Sequence, residues 1–210
     1  PLYTCTARAH RMTTRARYAP HGGTRSPHDG TRPLQVVLGG GPIGCELAQA
    51  FARLGSSVTL VDMAAQILPR EDTEVAAHVT AVFREQGIKV LTGHRAVGFR
   101  REQNTQWADF DCAGSSVSLE FDRVLVAVGR RANVENIGLE ELGIAVEKNG
   151  TIAVDEYLRT SIPTVLACGD VVGPYQFTHM ASHQAWYVSV NALFGFARKF
   201  KVDYSVVPWT

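Results

Sequence analysis

The chain has 210 residues, which is enough for one large domain or two small ones. Hydrophobic residues make up 45% of it and charged residues 20%, as in ordinary globular proteins. No apolar run is long enough to cross a bilayer, and the N-terminus lacks the apolar core of a signal peptide. We therefore expect a cytoplasmic protein with no membrane partner.

The first 33 residues differ from the rest of the chain in composition. They hold six arginines but only one acid, Asp29, and show no apolar period of 2 or 3.6 residues. This pattern is typical of a disordered basic tail, and an artefact of the gene model is the alternative. Because the segment lacks the aromatic interleaving and helical period of a nucleic-acid-binding arm, we expect no nucleic-acid partner.

From residue 35 onward the apolar residues follow helix and strand periods. The predicted elements are strand Gln35–Leu38, helix Gly44–Leu54, strand Ser57–Asp62, helix Asp72–Gln86 and strand Ile88–Leu91. Residues 97–121 alternate between turns, which indicates an antiparallel meander, and Arg123–Val128 is a further buried strand. Strands that alternate with helices favour a parallel sheet with right-handed crossovers, an α/β fold of the Rossmann type.

A second segment follows with different signals. Asn149-Gly150 predicts a tight turn before a strand at Thr151–Asp155. Thr164–Cys168 is a second short apolar strand, and a helix is predicted from Thr178 to Phe194. The last residues, Lys201–Thr210, are interpreted as the beginning of another element.

The pattern Gly39-x-Gly41-x-x-Gly44 stands between the first strand and the first helix, as in dinucleotide-binding folds. Gly39 permits the tight turn, Gly41 lets a pyrophosphate approach the backbone, and Gly44 allows close packing of helix on strand. The helix N-terminus offers N–H groups and partial positive charge to the phosphates, and Ile43, directly before the predicted helix, is counted among the cofactor-binding residues. The alternative is a loop whose glycines serve packing alone.

Asp62 ends the second strand, about 20 residues after the loop, where an acid binds the ribose 2′-hydroxyl. The next arginine, Arg70, does not directly follow it, so a 2′-phosphate would meet a carboxylate without an adjacent cation. The sequence therefore favours NADH over NADPH. The alternative is that Asp62 is merely an acid at the end of a strand.

Four motifs occur in order: Gly39-Gly40-Gly41-Pro42-Ile43-Gly44-Cys45-Glu46, Ile67-Leu68-Pro69-Arg70-Glu71-Asp72, Val126-Ala127-Val128-Gly129-Arg130-Arg131 and Ala167-Cys168-Gly169-Asp170. They resemble the class I pyridine nucleotide-disulfide oxidoreductases, a family that includes dihydrolipoamide dehydrogenase and mercuric reductase. The segments at 176–181 and 206–210 look most like the mercuric reductase-like branch. The resemblance extends over residues 35–210. It implies an NAD-binding domain at 34–128, the second part of an FAD-binding domain at 129–200 and the start of a truncated dimerisation domain at 201–210. It also implies NAD and FAD as cofactors and a homodimer for the full-length family.

The resemblance also assigns roles to single residues. Glu46 matches a glutamate near the nicotinamide, although it is equally well a first-turn helix acid. Gly129 matches a glycine that lines the nicotinamide nucleotide. Gly169 and Asp170 match the turn whose acid holds the ribityl chain of FAD, and its alternative is a turn cap. Thr178 and His179 match the first residues of the helix whose N-terminus points at the flavin pyrimidine ring.

Several parts of the family pattern are not found in the sequence: a first FAD fingerprint, a C-x4-C redox pair and a catalytic histidine with its glutamate. We therefore interpret the chain as an internal fragment of an enzyme that passes hydride from NADH to flavin and then to a disulfide-like acceptor. The chain alone is expected to be inactive in disulfide reduction, with no catalytic residue. The alternatives are a non-catalytic NAD-binding module or pseudogene fragment, and an NADH oxidase-like flavoprotein.

No metal site is predicted. The four cysteines, Cys5, Cys45, Cys112 and Cys168, form no close pair, which fits reduced thiols. We expect Cys45 and Cys168 to be packing residues and not nucleophiles. His179 and His183 share a helix face, but the glutamate that a zinc protease places between them is replaced by Met180.

Overall fold

The computed structural model describes residues 32–208, which form two compact units divided between Arg130 and Arg131. Most of the predicted tail at 1–33 and the last two residues lie outside the described range. Each unit is treated by itself below. The ligands assigned to the predicted domains, 34–128 and 129–200, stay a prediction.

The first unit is built on a four-stranded parallel sheet whose strands are β1 Leu34–Leu38, β2 Ser57–Val61, β3 Lys89–Leu91 and β7 Arg123–Val126. The strands lie in the order β3-β2-β1-β7. Helix α1 (Pro42–Arg53) connects β1 to β2, and helix α2 (Thr73–Glu85) connects β2 to β3. The predicted α/β fold with a parallel sheet is confirmed. α1 begins two residues earlier than predicted, because Pro42 is well suited to the first position of a helix.

The central strand β1 is buried on both of its faces. Val37 packs with Leu60 and Phe83 in one cluster, while Val36 and Leu38 pack with Phe110 in another. This division follows from the two-residue period of a strand, which sends successive side chains to opposite faces. Burying each of these side chains stabilises the fold by about 1.5–3 kcal/mol. β1 is therefore a rigid base for the loop that follows it.

The predicted meander is confirmed as a three-stranded antiparallel sheet. Its strands are β4 Arg95–Glu102, β5 Thr105–Cys112 and β6 Ser115–Phe121, in that order. Alternation along β5 puts Ala108 and Phe110 in the core, while Asp109 on the opposite face binds Arg100 at 2.9 Å.

The second unit contains fewer regular elements than the sequence predicts. The strands expected at Thr151–Asp155 and Thr164–Cys168 are not formed, and each segment has only one isolated bridge. The reason is that successive N–H groups bind different parts of the chain. Ile152 N donates to Val171 O at 2.8 Å, and Ala153 N donates to Ala145 O at 2.9 Å, so no ladder forms along one neighbour.

Helix α3 runs from Thr178 to Phe194, as predicted. Residues 201–208 form no helix or strand, and the start of another element at 201–210 stays a prediction. Side chains of α3 bind the backbone of the segment that follows the helix. Asn191 bonds both N and O of Phe200 at 2.8 Å, and His183 Nε2 lies 2.8 Å from Asp203 O. Within residues 32–208 no helix is long and apolar enough to cross a membrane.

Candidate nucleotide-binding site

In the first unit, the predicted site residues lie where the parallel strands end. The glycine loop follows β1, Asp62 follows β2, and Gly129 lies three residues after β7. Because β7 and β2 are the two neighbours of β1, these segments meet at one edge of the sheet. Ligands of open α/β sheets bind at this carboxyl edge.

Two glycines of the loop have no room for a side chain. Gly39 has a φ of 99°, and a Cβ built on it would lie 2.4 Å from Ala127 O. A Cβ on Gly44 would lie 1.8 Å from Gly39 O, which is far inside van der Waals contact. The loop can therefore pass between β7 and α1 only with glycine at these two positions.

Gly41 is different, because the space beside it is open. A Cβ built there would have no atom of the described residues within 4 Å apart from those of Gly41 and its two chain neighbours. Gly41 is also the N-cap of α1, and no side chain caps this helix end. The N–H groups of Ile43 and Gly44, in the first turn, have no acceptor within the helix. An open approach next to first-turn N–H groups fits a pyrophosphate.

Asp62 is hydrogen-bonded to the glycine loop, 22 residues before it. Its Oδ2 accepts from Gly40 N at 2.5 Å, and its Oδ1 accepts from Ala64 N at 2.7 Å. Each carboxylate oxygen can accept a second hydrogen bond, so both oxygens retain capacity for a sugar hydroxyl. The half-buried carboxylate thus connects the loop to the end of β2.

Gly40 is a site residue that the sequence reasoning missed. Besides its N–H bond to Asp62, its carbonyl accepts from Leu68 N at 2.6 Å. A Cβ on Gly40 would lie 2.9 Å from Cγ2 of the fully buried Ile67. The available signal was the run of three consecutive glycines, since the fingerprint itself needs only the first and third of them.

Glu46 is exposed on α1, but its interpretation as a first-turn acid is wrong. The helix begins at Pro42, so Glu46 lies in the second turn and the first turn contains no acid.

The preceding residue, Cys45, is buried, and its Sγ lies 3.3 Å from Gly40 O. Burial, together with the negative charges of Asp62 and Glu46, raises the pKa of the Cys45 thiol to about 12. A thiol of this kind is protonated at neutral pH and is a poor nucleophile.

Gly129 is exposed after β7, with a φ of 115° and open space around it. Ala127, two residues before Gly129, donates its N–H to Leu38 O at 2.7 Å, which continues the β1–β7 pairing beyond the strand. Gly129 is therefore held near the edge where β1 ends.

In the second unit, Gly169 and Asp170 form a 3₁₀ turn, Gly169–Val171, beside α3. Thr178 and His179 are both exposed at the start of α3, whose N-terminus has no side-chain cap. His179 stacks on Phe177 with ring centroids 5.2 Å apart. The structure thus brings the predicted turn and the predicted helix together within this unit.

The residues from 32 to 208 contain no group of three or more histidine, cysteine or acidic side chains that could hold a metal ion. His179 and His183 each contact a backbone carbonyl, of Pro208 and Asp203 respectively. Cys45, Cys112 and Cys168 are free thiols.

Comparisons with known proteins identify relatives of this chain. A family model described as pyridine nucleotide-disulphide oxidoreductase matches residues 13–185. Dihydrolipoyl dehydrogenase from Thermus scotoductus is 39% identical over 175 residues, which cover 78% of this chain and 38% of that protein. Mercuric reductase from Streptomyces lividans is 37% identical over 173 residues, which cover 82% of this chain and 36% of that protein.

Among solved structures, the HOCl-induced flavoprotein disulfide reductase RclA from Escherichia coli is similar, with a TM-score of 0.71 and 31% identity. The similarity covers 81% of this chain and 38% of that one. The chain therefore spans little more than a third of the length of these relatives. The family match begins inside the segment predicted as a tail.

Proposed function

Because the chain belongs to the pyridine nucleotide-disulphide oxidoreductase family, we propose that it forms the NADH site and part of the FAD site of an FAD-dependent oxidoreductase. The predicted family resemblance, and FAD and a nicotinamide nucleotide as the family's cofactors, are confirmed. When bound, these cofactors supply hydride transfer from the nicotinamide to the flavin, which then reduces a disulfide-like acceptor. The residues of this chain bind and orient them.

The observation that carries the NADH proposal is the contrast among the three loop glycines. Gly39 and Gly44 are closed to any side chain, whereas Gly41 is open beside an uncapped helix end. In our proposal the pyrophosphate lies against Gly41, Ile43 and Gly44, where N–H groups and the helix dipole stabilise its charge.

Asp62 has the second role at this site. Its bond to Gly40 fixes the carboxylate beside the loop, and its remaining lone pairs accept from the adenosine ribose hydroxyls. A 2′-phosphate would be repelled by this carboxylate, so we propose a preference for NADH over NADPH. Glu46 and Gly129 are proposed to lie on the nicotinamide side of the same site.

The second unit supplies the flavin contacts in this proposal. Asp170, at the turn Gly169–Val171, accepts hydrogen bonds from ribityl hydroxyls, and the N-terminus of α3 at Thr178 and His179 stabilises negative charge on the pyrimidine ring. We propose that the chain alone does not reduce disulfides. Two other proposals are a binding module without turnover and an NADH oxidase-like flavoprotein.

The experiment that tests the NADH site compares two glycine-to-valine variants. Gly41→Val is expected to weaken NADH binding at least about tenfold, since a side chain blocks the approach of the phosphates. Gly98→Val in β4 is the matched control, because Gly98 also has open space around it. Titration calorimetry gives the affinities, and thermal unfolding shows that both variants fold.

Two further measurements separate the candidate functions. Equal NADH affinity of the Gly41→Val variant and the unsubstituted chain would contradict the site. Retention of FAD and bleaching of its absorbance by NADH support the flavoenzyme, whereas NADH binding without flavin retention favours the binding module. Rapid oxygen consumption with NADH and FAD favours the oxidase.

A further inference from the structure

Gln184 on α3 is a fully buried polar side chain with a specific partner at each end. Its Oε1 accepts from Gly169 N at 2.6 Å, and its Nε2 donates to Tyr204 Oη at 2.9 Å. Burying an amide group is costly unless both ends find partners, so a glutamine at this position is not a packing residue alone.

The Gly169 end of this contact belongs to a turn whose conformation is demanding. Gly169 has a φ of 82°, which residues with side chains rarely adopt. The turn closes through a bond from Val172 N to Gly169 O at 3.0 Å, and Ile152 N binds Val171 O at 2.8 Å. These bonds fix the end of the turn at Val171 and Val172, whereas Gln184 fixes its first residue, Gly169.

Gln184 reaches the turn because α3 presents one small residue beside it. Ala181 lies one helical turn before Gln184, and the two therefore share a helix face. A Cβ on Gly169 would lie 3.5 Å from Ala181 Cβ, which is ordinary van der Waals contact. The helix thus approaches the turn closely enough for a direct bond from the Gly169 amide to the Gln184 side chain.

We propose that Gln184 is a positioning residue that fixes the Gly169–Asp170 turn so that the Asp170 carboxylate faces the polyol chain of a bound flavin. This inference rests on the proposed function, in which Asp170 binds the ribityl hydroxyls. Gln184 itself touches neither cofactor in this proposal. It acts through the amide of Gly169, the residue next to Asp170.

Tyr204 completes the arrangement from the other side. Its ring packs on Tyr175 with centroids 5.5 Å apart, and burial raises the pKa of its hydroxyl, which is therefore neutral at physiological pH. A neutral hydroxyl accepts the Nε2 hydrogen of Gln184 without adding a buried charge. The amide is consequently held with its oxygen toward Gly169, whose N–H needs an acceptor.

Asn191 provides a comparison on the same helix. Its side chain also uses both ends, but both bonds go to the backbone of Phe200, and none goes to the turn. A variant of Asn191 therefore loosens the segment after α3 without removing the Gly169 contact. This separates a general loss of packing from the specific effect proposed for Gln184.

The test uses the full 210-residue chain with Gln184→Leu, Gln184→Glu and the control Asn191→Leu. Amide hydrogen exchange at Gly169 is measured by NMR, and FAD affinity by quenching of flavin fluorescence. Gln184→Leu is expected to speed exchange and to weaken FAD binding, each by about tenfold, because a buried N–H loses its acceptor. Gln184→Glu retains an acceptor and should rescue both properties to within about threefold.

Asn191→Leu should lower the unfolding temperature while leaving Gly169 exchange and FAD affinity unchanged. Unchanged exchange in Gln184→Leu, or an equal effect of Asn191→Leu, would overturn the proposal. If Gln184→Leu does not fold, Tyr204→Phe replaces it. That variant is expected to speed Gly169 exchange by about threefold, since it removes one bond of the pair, and no change would contradict the inference.

The two proposals fail in different ways. If the unsubstituted chain binds NADH but not FAD, the flavin part of the proposed function and the role of Asp170 are wrong. Gly169 exchange in the Gln184 variants then still decides whether Gln184 fixes the turn. If FAD binds and Gln184→Leu leaves its affinity unchanged, the proposed function stands and the positioning role is overturned.

Discussion

The two units hold their candidate ligand contacts in different ways. In the first unit the glycine loop follows a parallel strand that is paired on both sides and buried on both faces. In the second unit the turn at Gly169 lies among irregular segments, and its amide is held by one side chain, Gln184. The loop on the regular sheet combines steric exclusion at Gly39 and Gly44 with the bond from Gly40 to Asp62. The turn at Gly169 has only an ordinary contact with Ala181 beside it and depends on the Gln184 side chain.

The largest expected effect tests the steric side of this comparison. Gly44→Ala should lower the free energy of unfolding by about 3 kcal/mol or more, because its Cβ would overlap Gly39 O. Urea unfolding followed by circular dichroism measures this loss. Gly41→Ala is the control and should cost less than about 1 kcal/mol, since the space there is open. Equal costs would mean that the loop is not closed at Gly44.

A smaller effect is expected where side chains organise the second unit. Asp155 accepts hydrogen bonds from the N–H groups of Tyr157 and Arg159 at 2.9 Å and from Arg159 Nε at 2.8 Å. Asp155→Ala should therefore cost about 2 kcal/mol, measured by urea unfolding. The control is Asp111→Ala on the regular strand β5, which loses a surface pair with Arg95 of β4 and one bond from Gly114 N, and which should cost about 1 kcal/mol.

The Asp155 effect should also depend on pH. Burial opposes ionisation of Asp155, but the hydrogen bonds from Arg159 and Tyr157 outweigh it and lower the pKa below its ordinary value of 3.8. A lowered pKa in the folded state stabilises the protein above pH 3.8, and this contribution is lost as the pH falls further. The difference in unfolding free energy between the protein and the Asp155→Ala variant should therefore become smaller below pH 3.8. A difference that stays constant would contradict the hydrogen bonds assigned to Asp155.

The last effect has the opposite pH dependence and concerns Cys45, beside the glycine loop. Because burial raises its pKa from 9.0 to about 12, its contribution to stability is complete below pH 9.0 and is lost as the pH rises toward 12. The difference in unfolding free energy between the protein and Cys45→Ala should shrink over this range, by up to about 1.4 kcal/mol per pH unit. A native thiol assay at neutral pH should leave Cys45 unmodified, and rapid labelling would contradict its burial.

Much of the first unit could be predicted from the sequence because its signals are local. Two-residue and 3.6-residue periods predicted the strands and helices, and the glycine spacing predicted the loop. The ends of α1 and the role of Gly40 were less accessible, since they depend on Pro42 as a helix start and on contacts with Ile67 and Asp62. In the second unit α3 was predicted correctly, while the two short strands were not.

By itself, the sequence determined which segments are helical or extended in the first unit and where a nucleotide loop can form. These features follow from side-chain periodicity and from steric limits at single residues. Only the tertiary structure decided that the Asp62 carboxylate binds Gly40 and that Gln184 joins Gly169 to Tyr204. Those contacts link residues that are far apart in the chain, and a buried donor selects its acceptor only after the segments have packed.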